Sequence, residues 1–326
     1  MAVEYREWRD GDDLALLEIW GDPETVQAGQ FRGTLAPSGN SPWRRCIVAE
    51  DVVDGVAIPV AAGVVHEATL HPERLWAYIE VARDHRREGI GSTLLNMLRH
   101  EAGASASGVT KLRCKVEPGT PGAAFAEQAA LAPIQRSRLV RVEPAALKLP
   151  VFGDGSEEAA SERVEDLATG SVELSDVVGR YYTAVHDWDS PGELAISTVQ
   201  RLFLDELSGA HGAIVLRAPK ASAFGAGVPA SRKGKLQAFA ISYAQPGGPE
   251  QRDSAQPSDV FLGHDPRLPD DEAQAAVRDL LALIAYQYPV LLELDDSMTA
   301  LRAVVEPLLA SGKARLQGSE TMVVSD

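Results

Sequence analysis

The chain has 326 residues, 45% of them hydrophobic, and a formal net charge of −16. That length exceeds one ordinary core and implies about two domains, each able to bury apolar surface. The acidic balance argues against a nucleic-acid surface, which needs clustered Lys and Arg, and leaves cationic or amine-bearing partners open. The two cysteines, Cys46 and Cys114, lie in apolar strand-like runs and read as buried free thiols of a cytoplasmic protein. No spacing suits a metal ion. The charged start lacks an apolar leader core. The longest apolar stretch, 280–294, is broken by Gln287 and Pro289, so no membrane span is expected.

In chain order, residues 3–8 alternate as a strand, and Asp12 and Asp13 introduce a short helix over 14–20. Residues 21–43 are rich in Gly and Pro, read as loop and weak helix, and are placed to border a substrate opening. Strands follow at 45–49, 59–65 and 75–81, the last two joined by a hairpin connection. A helix spans 89–102, with Ile90, Leu94, Met97 and Leu98 as one buried stripe. Then come a strand at 111–116, the breaker run 118–122, a short helix at 123–131 and a strand at 134–142. The order predicts a mixed α/β sheet with helices on its faces. Residues 150–163 have linker composition, which sets a boundary near 150 and domains at 1–150 and 151–326.

The stretch that carries chemistry is the junction of the third of these strands with the helix after it. Strand 75–81 runs into Ala82-Arg83-Asp84-His85-Arg86-Arg87-Glu88-Gly89-Ile90-Gly91-Ser92, a basic turn with two glycines that opens an amphipathic helix. Unmatched N–H groups at a helix N-terminus, close backbone approach at glycine and nearby guanidinium groups are a recipe for holding a diphosphate. A dinucleotide fingerprint would have a third glycine and sit in a first βαβ unit, and a Walker loop would continue Gly-Lys-Ser/Thr; neither holds here. The bland alternative is a glycine turn opening an ordinary helix, its arginines merely solvated.

Arg86-x-x-Gly89-x-Gly91, set after meander strands, resembles motif A of the GNAT superfamily of acyl-CoA-dependent N-acyltransferases. In element order the resemblance covers residues 3–145, and it is sharp over 75–98. It implies that the loop from Arg86 and Arg87 through Glu88, Gly89, Ile90, Gly91 and Ser92 binds the coenzyme A pyrophosphate. It also implies that backbone at Val81, Ala82 and Arg83 receives the pantetheine arm and polarises the thioester. The family's usual Asn and Tyr fall on Gly119 and Ala126, so its customary general acid is absent. Glu80, at the strand end, is the candidate general base, with Tyr78 on the same strand face. Glu117 and His66 are second choices at other strand ends, and His85 reads as a loop residue rather than a catalyst.

The second half repeats the element order: helices at 174–188 and 192–207, strands at 213–216 and 236–243, and a polar, mobile insertion at 244–258. A strand at 260–263, a helix at 270–287, a strand at 290–294, a helix at 298–310 and a closing strand at 315–324 complete it. Where the glycine turn would recur stand Pro269, Asp270, Asp271 and Glu272, which suit a helix dipole but would repel a pyrophosphate. The expectation is a tandem pair, an intact first module and a degenerate second one. The implied activity is transfer of an acetyl or other short acyl group from its CoA thioester to a primary amine on a small molecule or peptide, in a monomer or homodimer. Two alternatives stand beside it: a non-catalytic acyl-CoA sensor, and a structural pair of domains that binds no CoA.

Overall fold

The computed structural model describes residues 3–23, 26–219, 233–244 and 256–326. Most of the expected polar insertion lies outside the described residues. The first elements in chain order are β1 (Val3–Glu7), α1 (Asp12–Trp20), α2 (Val26–Arg32), β2 (Gly39–Asn40), β3 (Trp43–Val53), β4 (Val56–His66) and β5 (Leu75–Val81). They continue with α3 (Ile90–Gly103), β6 (Leu112–Val116), α4 (Pro121–Gln128) and β7 (Ala132–Val142). Next are α5 (Glu157–Arg163), β8 (Val164–Leu167), α6 (Val172–Val185), α7 (Ile196–Val199), β9 (Ala210–Arg217), β10 (Leu236–Tyr243) and β11 (Ser258–His264). The chain closes with α8 (Asp270–Ile284), β12 (Val290–Asp295), α9 (Thr299–Ala310), β13 (Ala314–Leu316) and β14 (Thr321–Ser325).

Two compact units result, and their division departs from a boundary at residue 150. The first holds Met1–Ile134 with Asp189–Gly192 and Met322–Asp326; the second holds Gln135–Trp188 and Glu193–Thr321. The physical reason is strand pairing. From Ser137 to Val142, β7 pairs antiparallel with β12, so it belongs to the second unit. The closing strand β14 pairs antiparallel with β6, from Met322↔Val116 to Ser325↔Arg113, so most of it belongs to the first unit. The expected linker is also shorter than its composition suggested, because Ser156 caps the short helix α5 through its side chain, accepting from the N–H of Ala159.

In the first unit the sheet order is β1-β3-β4-β5-β6-β14, antiparallel except for the parallel pair β5/β6. Alternation along the strands sends residues to two faces. One face packs Ala49, Val65, Leu75 and Ala77 against Ile90, Leu94, Leu95 and Leu98 of α3. Leu95 takes the buried place expected for Met97, which is only partly covered. Gly63 on β4 lets this helix sit close, since a Cβ there would stand 3.0 Å from Leu98 Cδ1 and 3.2 Å from Ile79 Cγ1. The opposite face buries Leu16 and Leu35 on Cys46, Val48, Ala62 and Val64.

The second unit has the same plan. Its order is β8-β9-β10-β11-β12-β7, with one parallel pair, β11/β12, and β13 on β7. Here α8 follows β11 as α3 follows β5, and it buries Val277, Leu280 and Leu281. No helix among the described residues is long and apolar enough to cross a membrane.

Candidate active site

The site begins where β5 leaves its neighbour. Its register with β6 extends only through Leu75↔Leu112 and Trp76↔Arg113, although β5 continues to Val81. On the other side it stays paired with β4 up to Val81↔Ala61. The Leu75 N–H points toward β6, donating to Lys111 O at 2.9 Å, whereas the Ala82 N–H points toward β4, donating to Val60 O at 2.8 Å. Strand alternation therefore turns the backbone groups of Ala77, Ile79 and Val81 into the opening beyond Trp76. A register shift between Ala49 and Glu50 on β3 leaves Val60 as an extra residue on β4, a bulge beside the end of β5.

Beyond β5 the chain makes a 3₁₀ turn over Arg83–His85 and passes Arg87 at φ 71° and Gly89 at φ 85°. Gly89 is the N-cap of α3 and brings no side-chain cap. The first helical bond that closes on this cap runs from Thr93 N–H to Gly89 O, so the N–H groups of Ile90, Gly91 and Ser92 have no acceptor within the helix. They face a cleft of about 600 Å³ between β5, the loop and α4.

Glu80, Val81, Arg86, Arg87, Gly89, Ile90, Gly91 and Ser92 all line this cleft. Ala82, Arg83 and Glu88 are not among its walls: Ala82 is buried, and the other two are exposed. Arg86 donates Nε to the carbonyl of Val81 at 3.1 Å, tying the loop back to the strand end. His85 holds the turn to the sheet, its Nε2 lying 3.3 Å from Oδ2 of the buried Asp51 on β3.

Glu80 does not stand alone. Its Oε2 accepts from Arg32 Nε at 2.8 Å and from the Tyr78 hydroxyl at 2.5 Å, and its Oε1 accepts from Arg32 Nη2 at 2.6 Å. Arg32 also donates to Gly21 O at 2.6 Å, and its guanidinium lies 5.3 Å from the Trp20 ring. Burial, reinforced by the Glu80 charge, pushes the Tyr78 phenol well above its ordinary value, so it keeps its proton and acts as a donor. The bidentate bond to Glu80 raises Arg32 further into the charged range. Sequence reading missed Arg32. It lies 48 residues from its partner, and the only signal was that 21–43 should border an opening.

On α4, Ala126 is buried against Leu131 and Val324 and does not reach the cleft. The aromatic that does is Phe125, whose ring would lie 3.5 Å from a Cβ added to Gly91. It carries no transferable proton. Glu117 and His66, the second-choice bases, are not cleft walls either.

Burial holds the His66 imidazole below its ordinary value of 6.5, and Arg44 and Arg113 add repulsion. The half-buried His264 of the second unit is also lowered by burial, against the opposing charges of Asp265 and Asp270. An imidazole lowered by folding stays neutral while the unfolded chain takes up a proton. Stability is therefore complete above pH 6.5 and falls below it, by at most about 1.4 kcal/mol per pH unit for each ring. Urea midpoints at pH 7.5 and 5.5 should show this loss, and H66Q should lessen it.

Residues 12–129 match the family described as Acetyltransferase (GNAT) family. They form a GNAT acetyltransferase domain. Enzymes of this family generally use acetyl-CoA as acyl donor. A search of curated proteins finds no match to the chain. Among solved structures, the chain resembles a GCN5-related N-acetyltransferase from Sphaerobacter thermophilus at 12% identity, over 99% of this chain and 95% of that one, with a TM-score of 0.52. It also resembles a tandem GNAT protein from the clavulanic acid biosynthesis pathway, at 16% identity over 100% and 98% of the two chains, with a TM-score of 0.50. At these identities the likeness is one of fold, and it extends over both units.

The domain's own residues fit a CoA-type ligand. Three orphan N–H groups and Arg86 and Arg87 suit a diphosphate, and the unpaired edge of β5 suits an amide-bearing chain. The matching place in the second unit has a different chemistry. There Pro269 caps α8, the first turn carries Asp270, Asp271 and Glu272, and Asp265 accepts from Arg267 at 2.7 Å.

Proposed function

We propose that this chain is an acyl-CoA-dependent N-acyltransferase that moves an acetyl group from acetyl-CoA to a primary amine by direct attack. The observation that carries the reading is the parting of β5 from β6 beside a helix N-terminus whose N–H groups at Ile90, Gly91 and Ser92 lack partners. In this reading those amides and Arg86 and Arg87 hold the pyrophosphate. The edge of β5 at Ile79 and Val81 aligns the pantetheine arm and polarises the thioester carbonyl, with Ala82, Arg83 and Glu88 shaping the turn behind them.

Glu80 accepts the proton of the incoming ammonium, directly or through one water. Arg32 and Tyr78 fix the carboxylate so that it need not reorganise when the amine arrives. The departing thiolate is protonated from solvent, since position 126 offers no hydroxyl. The second unit, its first helical turn already acidic, binds no CoA, so one acetyl-CoA is bound per chain. A second reading, a non-catalytic acyl-CoA sensor, draws on Ala126 facing the core and on Arg32 covering Glu80.

Calorimetry with acetyl-CoA should give a stoichiometry near one. Thiol release would then be followed over phenethylamine, spermidine, kanamycin and a peptide bearing a free N-terminus and a lysine. Turnover with any of them supports the enzyme, and silence alongside tight binding supports the sensor. E80Q should lower kcat roughly 10²-fold with acetyl-CoA affinity little changed. Full kcat in E80Q at neutral pH would remove Glu80 as the base.

A further inference from the structure

Arg113 on β6 is almost wholly buried, with 1% of its surface exposed. A guanidinium in that position needs a compensating charge. The compensation comes from far along the chain. Asp189, at 0% exposure, accepts Arg113 Nη1 on Oδ2 and Arg74 Nη1 on Oδ1, the latter at 2.8 Å. The residues around Asp189 are fastened as well. Its carbonyl accepts from His71 Nδ1 at 2.6 Å, which places the ring proton on Nδ1, and the Gly192 N–H donates to Leu70 O at 2.9 Å. Residues 189–192 thus lie within the first unit, on the connection between β4 and β5.

What Arg113 touches gives this pairing a purpose. Its guanidinium stands 4.1 Å from the ring centre of Trp76 on β5. Trp76 shares a strand face with Tyr78 and Glu80, opposite the α3 side. Its ring lies 6.2 Å from Phe31 of α2, and Phe31 stacks on Tyr78 at 5.6 Å with the rings 16° apart. Tyr78 in turn donates to Glu80. A continuous set of contacts therefore runs from Asp189 through Arg113, Trp76, Phe31 and Tyr78 to the carboxylate. Of these residues only Glu80 also lines the pyrophosphate cleft.

We infer that Asp189, supplied by the second half of the sequence, is a positioning residue for the amine side of the site: by holding Arg113 against Trp76 it sets the aromatic wall that backs Tyr78 and Glu80. This rests on the proposed transferase reading. An anion held on the in-plane donors of a guanidinium fixes its tilt over the indole ring it covers. Without the Asp189 charge the guanidinium turns toward water or another acceptor, and the ring it covers moves.

The test uses the full chain in wild-type, D189N, R74Q and R113Q/D189N forms. The ¹⁵N indole resonance of Trp76, assigned by its loss in W76F, reports the stack. D189N should shift and broaden that resonance, and R74Q, which removes the ion pair at the other oxygen of the same carboxylate, should leave it in place. Acetyl-CoA affinity should stay within about twofold. With the panel amine that the wild type acetylates fastest, KM should rise about tenfold while kcat changes less than about twofold.

The double variant rebalances the charge, so it should recover thermal stability without recovering the Trp76 resonance, and it carries the same readouts should D189N fail to fold. An unchanged Trp76 resonance in D189N, or an unchanged KM with only a lower melting temperature, would make Asp189 a structural counter-ion and overturn the inference. Absence of acetyl-CoA binding by the wild type would instead remove the transferase reading, leaving the Trp76 resonance to decide the role of Asp189.

Discussion

Acetyl-CoA binding should fall by roughly 10³-fold in a G89D/G91D double variant, with little change in thermal stability. The loss has two sources. A side chain at position 91 projects into the cleft toward Phe125, where a Cβ already comes within 3.5 Å of the ring. Its carboxylate, with that at position 89, then occupies the region to which the Ile90, Gly91 and Ser92 N–H groups point. Two like charges about 4 Å apart in a partly desolvated site repel by roughly 4 kcal/mol, enough for three orders of magnitude.

Stability hardly suffers because the two changes oppose each other. Aspartate at position 89 must adopt φ near 85°, at a cost of about 1–2 kcal/mol. Two carboxylates at the helix N-terminus meanwhile favour the positive end of its dipole, by about 0.3–1 kcal/mol each. Calorimetry and a melting curve on the same sample separate these effects. Equal affinity in the variant would place CoA elsewhere. The second unit already carries the analogous arrangement, with Asp270, Asp271 and Glu272 opening α8.

Deleting residues 321–326 should unfold the first unit at 37 °C. Val323 and Val324 are buried at 4% and 2% exposure, and each side chain contributes about 1.5–3 kcal/mol. Ser325 Oγ donates to Leu112 O at 2.8 Å and accepts from Arg74 Nε at 3.0 Å, while Asp326 Oδ1 accepts from the Leu112 N–H at 2.7 Å. Removing them strands buried polar groups at about 1–3 kcal/mol each and exposes the edge of β6. Together these exceed roughly 5 kcal/mol, the lower end of a domain's whole stability.

Four of the five tryptophans, Trp8, Trp20, Trp43 and Trp76, belong to the first unit, so urea unfolding followed by tryptophan fluorescence reports on that unit. Acetyl-CoA binding should disappear with the same deletion. A truncated chain that melts within a few degrees of the full one would show that β6 needs no partner on that edge.

The glycine loop between β5 and α3 was legible because every part of it is local. Period-2 alternation marks β5, glycine marks the left-handed N-cap, and the apolar stripe marks α3, so the site needs no residue more than a few turns away. The stripe was slightly misplaced: Leu95 is buried with Ile90, Leu94 and Leu98, while Met97 is only partly covered. From β9 onward the strand–helix order of the second half was legible for the same reason, as was the acidic first turn of α8, whereas α5 and β8 were missed and the helix expected at 192–207 is reduced to the short α7 and irregular turns.

The sequence by itself determined most of the elements, the glycine turn ahead of α3 and the repeat of one plan in two halves, because each is written in residues adjacent in the chain. Tertiary structure decided where the units divide. The open edge of β6 is completed by a strand over 200 residues later, and β7 is claimed by β12, choices that depend on which edges are unpaired rather than on any composition. It also decided the chemistry around Glu80. Arg32 is 48 residues from that carboxylate, and Asp189 is 76 residues from Arg113. Buried charges must find opposite charges wherever the fold brings them, and that search leaves no local pattern to read.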